Sequence, residues 1–285
     1  MPRTEELPVV WIQAASCSGC SVSVLNAAAP RITDLLLSEV IPGRHVNLRF
    51  QATVMAGSGQ PAIEVLDAAV RDPGTYVLVV EGSIPTKSGG VYGTLGERAM
   101  VDRVAALAEK ATAIVALGTC ASFGGIFAAD PNPVGCIGVG ALLKERGIET
   151  PLINVPGCPP HPDWFIGTVA TILMSGVGAV KLDELRRPVR FFGRLIHENC
   201  PRRAYFDEGK FAARLSDEGC LYELGCKGTI THADCPLRRW NNGTNWVIGS
   251  GAPCNGCVEP EFPDLISPFY ERLPEDPLLV PRKES

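Results

Sequence analysis

Cysteine is the residue type in this sequence with the greatest capacity for chemistry. The 285 residues include 11 cysteines, and the odd number excludes complete internal disulfide pairing. A small disulfide scaffold has cysteine at more than about 8–10% of its positions, so this chain is too sparse for that class. Thiols at this frequency in a long, glycine-rich chain are more typical of metal ligation than of cross-linking. Their spacing therefore decides which chemistry is available.

Four cysteines in the first part of the chain follow apolar segments that resemble strands. Cys17 and Cys20 form a Cys-x-x-Cys pair, Cys120 lies in Gly-Thr-Cys-Ala, and Cys158 lies in Pro-Gly-Cys-Pro-Pro. The pair alone is typical of a redox dithiol or of half a zinc site. Ligands bind beyond the carboxyl ends of parallel strands, so all four thiols are expected at one crevice. A four-iron cubane explains four thiolates and a dithiol explains two, while structural zinc usually takes two close pairs.

One imidazole and three thiols form a second candidate set. His197 and Cys200 precede Cys220 and Cys226 in the last third of the chain. An imidazole in place of a thiolate makes a cluster less negative and raises its reduction potential. A lone histidine is usually an ordinary core or surface residue, so spacing alone leaves both interpretations of His197 open.

The third set contains only three cysteines, Cys235, Cys254 and Cys257. Three thiolates cannot ligate every iron of a four-iron cubane. Either a three-iron cluster or a four-iron cluster with a non-cysteine ligand fits this set. The three sets together leave Cys136, which we expect to be a small buried apolar side chain.

Composition limits the kind of protein that positions these residues. Hydrophobic residues make up 46% and charged residues 20%, which is typical of a globular chain. The net charge of −5 and the lack of a long basic run argue against a nucleic-acid scaffold and a polybasic membrane anchor. The longest apolar stretch, residues 168–180, is short and interrupted by Ser175 and two glycines. No segment is therefore expected to span a bilayer.

Short apolar segments alternate with helical patterns over the first two thirds of the chain. This alternation predicts an α/β domain over residues 1–180, with a flavodoxin-like open parallel sheet. From residue 181 to 285, Pro, Gly and Asn become frequent and the cysteine density rises, which predicts a loop-rich domain stabilised by metal sites. The predicted strands are 9–12, 46–50, 76–80, 113–117 and 152–155, and the predicted helices are 21–37 (interrupted by Pro30), 61–70, 95–110, 141–146 and 163–174.

Taken together, these motifs resemble those of the small, electron-transferring subunit of nickel–iron hydrogenases. Their residues are most similar to the nickel–iron–selenium branch. The match extends over nearly the whole chain, and the joint pattern is far more specific than any single Cys-x-x-Cys. The matching blocks are residues 11–13 with 17–23, 80–85, 118–121, 156–164, 192–194 with 197–201, 225–228, 253–260 and 267–270.

The resemblance implies three iron–sulfur clusters. Members of the selenium branch carry a fourth medial cysteine after an Asn-Trp pair, whereas Asn245-Trp246 is followed here by Val247. We therefore predict a three-iron (3Fe-4S) medial cluster between two four-iron (4Fe-4S) clusters. The implied ligands are the proximal set Cys17, Cys20, Cys120 and Cys158, the medial set Cys235, Cys254 and Cys257, and the distal set His197, Cys200, Cys220 and Cys226.

The implied function is electron transport in a heterodimeric hydrogenase, an oxidoreductase that interconverts H2 with two protons and two electrons. The nickel–iron site would lie in a large partner subunit, so this chain would hold no catalytic residue. Glu81 is a candidate for proton transfer, and a helix cap or a salt bridge is the ordinary alternative. An external carrier such as a ferredoxin or a cytochrome would accept the electrons. Arg202 and Arg203 could dock an acidic carrier, or form part of a solvated charged face.

Two other functions remain compatible with the residues. A zinc-stapled structural module would be colourless and redox-inactive. A cluster subunit of a related respiratory or carbon-monoxide-linked complex would share the proximal set, but such subunits usually lack the region from His197 to Cys257. For localisation, Met1 and the lack of a twin-arginine leader favour the cytoplasm. A removed leader would instead indicate the periplasm, or membrane association through a partner.

Overall fold

The protein divides into two compact units, Met1–Pro188 and Val189–Ser285. The structure, a computed structural model, describes residues 5–37, 43–72 and 74–273. The predicted boundary after residue 180 lies slightly earlier in the chain. No helix within those three ranges is long and apolar enough to cross a membrane.

The first unit is built around a parallel sheet of five strands. The strands in the described ranges are β1 (Glu5–Gln13), β2 (Arg44–Gln51), β3 (Val77–Glu81), β4 (Ile84–Pro85), β5 (Thr94–Leu95), β6 (Arg98–Ala99), β7 (Ala113–Leu117), β8 (Cys136–Ile137) and β9 (Leu152–Val155). The parallel sheet has the order β2-β1-β3-β7-β9, which is the flavodoxin-like order and confirms the predicted fold class. Every residue of β3, β7 and β9 is buried. Because successive side chains point to opposite faces, both faces of these strands are covered.

Each of the five predicted helical segments overlaps at least one helix, and the structure has further short helices that were not predicted. They are α1 (Gly19–Leu25), α2 (Ile32–Leu37), α3 (Gln60–Arg71), α4 (Met100–Lys110), α5 (Thr119–Phe123), α6 (Gly125–Ala128), α7 (Val139–Arg146), α8 (Pro162–Ser175), α9 (Val189–Phe192), α10 (Arg203–Asp207) and α11 (Cys235–Arg238). The predicted start of a helix at Leu95 was wrong, because β5 and β6 form a hairpin before α4. Gly96, at φ +64°, permits the two-residue turn of that hairpin.

The carboxyl ends of four parallel strands lie level with one another. Gln13 is paired with Glu81, Glu81 with Leu117, and Leu117 with Val155. The chain therefore leaves β1, β3, β7 and β9 at one edge of the sheet. The members of the proximal set follow β1, β7 and β9 in sequence.

The second unit is rich in loops. Its regular elements in the described ranges are α9, α10, α11 and short 3-10 turns, joined by isolated β-bridges. Its apolar core includes Phe191, Phe192, Trp246, Phe262 and Ile266, all of them buried. Cys235 of the medial set begins α11, and the other members of the medial and distal sets lie in turns and loops.

Candidate metal centres

The proximal set lies at the level strand ends. Cys17 follows β1 and Cys158 follows β9, and both are exposed, whereas Cys20 in the first turn of α1 and Cys120 in the first turn of α5 are half-buried. Burial raises the pKa of the Cys20 thiol, and the negative charges of Glu81 and of the other three thiols raise it further. The topology therefore brings the four sequence-predicted thiols within electrostatic range of one another.

Glycines allow the backbone to lie directly against these sulfur atoms. A Cβ on Gly118 would lie 2.5 Å from Cys20 Sγ, and a Cβ on Gly125 would lie 2.9 Å from Cys120 Sγ. Gly118 has φ +90°, a conformation that allows the sharp turn from β7 into α5. A side chain at either position would occupy space close to the thiols.

Backbone N–H groups are directed at sulfur in all three sets. In the Cys-x-Gly segments 17–19, 226–228 and 254–256, the glycine N–H donates to the sulfur two residues earlier, with an N···S distance of 3.4 Å in the first and third. Such hydrogen bonds favour the thiolate form and raise the potential of a bound cluster. The Cys-x-Gly spacing itself indicates such donors, because it places a glycine N–H two residues after a thiol.

Glu81 is fully buried beneath the proximal set and caps α1 from the neighbouring strand. Its carboxylate accepts hydrogen bonds from the N–H and hydroxyl of Ser21, at 3.2 Å and 2.5 Å. The Trp11 indole and the Ser16 hydroxyl donate at 3.1 Å, and the Gln13 amide donates at 3.4 Å. The geometry thus matches the helix-cap alternative, while proton transfer by Glu81 stays a prediction.

The distal set lines one small cavity together with Arg202. Burial raises the pKa of the Cys220 and Cys226 thiols, in each case to about 11. The His197 ring packs edge-on against Phe206, with 4.6 Å between ring centroids. One imidazole and three thiols therefore line the same space.

The Arg202 side chain stabilises the loop that leads into Cys220 of the distal set. Its guanidinium donates to the backbone carbonyls of Asp217, at 2.9 Å, and Gly219, at 2.6 Å, and so holds the loop that leads into Cys220. Its backbone N–H also donates to the sulfur of Cys200, where burial raises the thiol pKa and both this bond and the nearby positive charge lower it. The side chain is thus engaged internally, which the sequence did not reveal.

The medial set contains the thiol with the least solvent access of the three sets, Cys254. Burial raises the pKa of the Cys235 and Cys254 thiols well above the ordinary value, and the charge of Cys257 raises both further. The Trp240 indole donates a hydrogen bond to the Cys235 sulfur. Asn255 lies between Cys254 and Cys257 in the sequence. Its Oδ1 is buried and has no hydrogen-bond partner in the described part of the protein.

The donor sets fit iron–sulfur clusters. Soft thiolates are the ligands of such clusters, and the N–H groups directed at sulfur and the side-chain-free backbone beside it suit a bulky sulfide core. Across the described ranges, no group of three or more His, Cys, Asp or Glu side chains is arranged to hold a single metal ion. The remaining cysteine, Cys136, lies on β8 and is 2% exposed.

Comparison with known proteins gives the family. A family model for the C-terminal part of the small subunit of NiFe/NiFeSe hydrogenases matches residues 192–270. The periplasmic [NiFeSe] hydrogenase small subunit of Desulfomicrobium baculatum is 44% identical over 282 residues, covering 93% of this chain and 87% of the relative. The chain belongs to the small subunits of NiFe and NiFeSe hydrogenases.

Solved hydrogenases share the fold of this small subunit. An H2-activated [NiFeSe]-hydrogenase of D. baculatum matches with a TM-score of 0.88 and 43% identity, covering 94% of this chain and 99% of that one. An actinobacterial-type NiFe-hydrogenase from Ralstonia eutropha H16 matches with a TM-score of 0.88 and 33% identity, covering 96% and 84%. The predicted family, fold and oxidoreductase class are confirmed. As a hydrogenase small subunit, the chain binds iron–sulfur clusters and works with a large subunit.

The first unit explains the resemblance to respiratory complexes. Residues 17–172 match a model described as NADH ubiquinone oxidoreductase, 20 Kd subunit. The match of residues 192–270 to the hydrogenase model distinguishes this chain from such a subunit.

The predicted cytoplasmic location was wrong. The relatives from D. baculatum, Nitratidesulfovibrio vulgaris and Solidesulfovibrio fructosivorans, at 44%, 42% and 40% identity, are all named periplasmic. The prediction relied on Met1 and on the lack of a twin-arginine stretch, and the names of these relatives outweigh both.

We predict that Gly118→Ala reduces the iron content of the purified heterodimer through loss of the proximal cluster. The new Cβ would meet Cys20 Sγ at 2.5 Å, at a φ that L-residues rarely adopt. Iron and sulfide analysis measures the loss. Gly140→Ala is the matched control, because its Cβ would make an ordinary 3.4 Å contact with Leu152. Wild-type iron content in Gly118→Ala would contradict a requirement for glycine beside this sulfur.

We also predict that Glu81→Gln lowers the melting temperature of the protein. The carboxylate accepts from five donors, and an amide would direct its own N–H donors at some of them. Breaking buried hydrogen bonds to a charged group costs about 1.5–3 kcal/mol. Glu64→Gln, on the exposed face of α3, is the control. Equal melting temperatures for the two variants would show that the cap contributes little.

Proposed function

We propose that the chain relays electrons between the large-subunit active site and an external carrier through three clusters. The assembly would interconvert H2 with two protons and two electrons. A proximal 4Fe-4S cluster would use Cys17, Cys20, Cys120 and Cys158, a medial 3Fe-4S cluster Cys235, Cys254 and Cys257, and a distal 4Fe-4S cluster His197, Cys200, Cys220 and Cys226. The observation that carries this proposal is that each of the three sets contains a sulfur that accepts a hydrogen bond from a backbone N–H.

Bound clusters would supply one-electron redox chemistry, and the protein would set their potentials. The features of this chain that would set the cluster potentials are ligand identity, hydrogen bonds to sulfur, and burial. His197 is the reason for placing the distal cluster at the end of the relay that faces the external carrier. It is the one non-cysteine member of the three sets, and it is only half-buried. The Phe206 ring restricts the orientation of the imidazole.

The test is made on the heterodimer of this chain with its large subunit. We expect brown protein with broad visible absorption, with iron and sulfide in the amounts that two four-iron clusters and one three-iron cluster require. Low-temperature EPR of the oxidised protein should give a three-iron signal. Colourless protein that contains zinc and no iron would contradict the proposal.

The medial cluster type gives a second prediction. Val247 follows the buried Trp246 and is 40% exposed. Its hydrocarbon side chain offers no ligand at the position where the selenium branch has cysteine. We expect Val247→Cys to remove the three-iron EPR signal and to raise the iron content, because the new thiolate can complete a four-iron cluster. Val247→Ser is the control of similar size. A three-iron signal of wild-type intensity in Val247→Cys would argue that this position does not face the medial cluster.

A third prediction concerns the docking of an acidic electron carrier. Arg202 is bonded internally, whereas Arg203 is exposed and forms a 3.6 Å surface ion pair with Asp207. We therefore expect Arg203→Ala to slow electron transfer to an acidic carrier and to weaken its salt dependence, because rim charges act mainly on the association rate. Arg214→Ala removes another exposed arginine and should leave the rate unchanged. Equal rates for the wild type and Arg203→Ala would remove Arg203 from the docking surface.

A further inference from the structure

Lys227 is a buried cation between two of the sulfur sets. It directly follows Cys226 of the distal set and is only 3% exposed. Its N–H donates to the carbonyl oxygen of Cys254, in the medial set, at 2.8 Å. Lysine is among the residues least often buried completely, because removing an ammonium from water is costly. The cost of burying the ammonium of Lys227 must therefore be offset by a favourable interaction.

The hydrogen bonds of the ammonium offset only part of this cost. Nζ donates to the backbone carbonyl of Glu271 at 2.5 Å and to that of Pro268 at 3.4 Å. Both acceptors are neutral groups on the C-terminal segment. These bonds fix the position of the charge without neutralising it.

The groups whose charge influences Lys227 most are thiols from both sets, which become negative thiolates when they ligate a cluster. Burial lowers the pKa of Lys227, while the charges of Cys226 and Cys254, and then of Glu271, raise it. The two thiols also lie on adjoining loops, since the N–H of Cys254 donates to Cys226 Sγ with an N···S distance of 3.4 Å. One cation is thus shared by a medial and a distal ligand.

We propose that Lys227 is a positioning residue whose fixed charge raises the reduction potentials of the medial and distal clusters together. This inference rests on the proposed function, since it requires clusters at both sets. Reduction adds negative charge to a cluster, and a cation in a poorly solvated interior stabilises that added charge more than a solvated one would. Because one charge acts on both clusters, it raises both potentials and leaves their difference, which sets the direction of electron flow between them, less affected.

The test is an EPR-monitored redox titration of the purified heterodimer carrying Lys227→Met, which removes the charge and keeps an unbranched side chain. At the wild-type midpoints of the medial and distal clusters, we expect the ratio of reduced to oxidised cluster to fall roughly tenfold, or about 59 mV for one electron. Lys227→Arg keeps the charge and should restore both midpoints. The control Lys210→Met removes a lysine whose side chain is 49% exposed, and it should leave both midpoints unchanged because exposed charges are screened by solvent and salt.

A second neutral variant separates the charge from the hydrogen bonds to the C-terminal segment. Lys227→Gln can still donate to a backbone carbonyl, so it serves as the measured variant if Lys227→Met loses iron. Loss of the medial and distal clusters from both neutral variants, with full occupancy in Lys227→Arg, would also support a requirement for the charge. Unchanged midpoints in a cluster-loaded neutral variant, or an equal shift in Lys227→Arg, would overturn the proposal. Wild-type protein without iron–sulfur clusters would instead overturn the proposed function.

Discussion

The placement of the proximal set depends on one constraint, the level register of four parallel strands. Gln13, Glu81, Leu117 and Val155 form one row across the sheet, so the chain leaves each strand at the same edge. Residues far apart in sequence are thereby brought to one crevice. A shift of one residue in any pairing would exchange the two faces of that strand and displace its following loop. The strands buried on both faces resist such a shift, because it would disrupt packing on each of them.

Burial of sulfur imposes a second constraint, and the protein meets it with backbone donors. Desolvation raises the pKa of thiols in all three sets, so at neutral pH the folded chain holds them as neutral groups in the absence of metal. Cluster insertion must displace those protons, which couples cluster binding to the stability of the loops. The loop-rich second unit has little regular structure to hold its ligands in place. Its Cys-x-Gly turns therefore both shape the loops and stabilise the thiolates that they carry.

The sequence was sufficient for the main architecture because strands buried on both faces have a distinctive apolar pattern. The predicted strand 113–117 coincides with β7, and 152–155 coincides with β9. The hairpin before α4 was missed because its two short strands have no periodicity to detect, and its turn depends on the positive φ of Gly96. The strand-end positions of the proximal cysteines were predictable from the same pattern. The internal engagement of Arg202 was not, because it depends on backbone carbonyls fifteen and seventeen residues further along the chain.

The positive charges near the sulfur sets of the second unit differ in what they can do. Arg203 is exposed, so solvent and salt screen it, and its effect on a buried cluster is weak. Arg202 is partly buried and bonded to the loop before Cys220, and its charge lowers the pKa of the distal thiols Cys200 and Cys220. Lys227 is nearly inaccessible and adjoins thiols of both sets, so its field reaches the medial and distal sets with little screening. Under the proposed function, burial, more than separation along the sequence, determines which charges act on the clusters and which remain available to a partner.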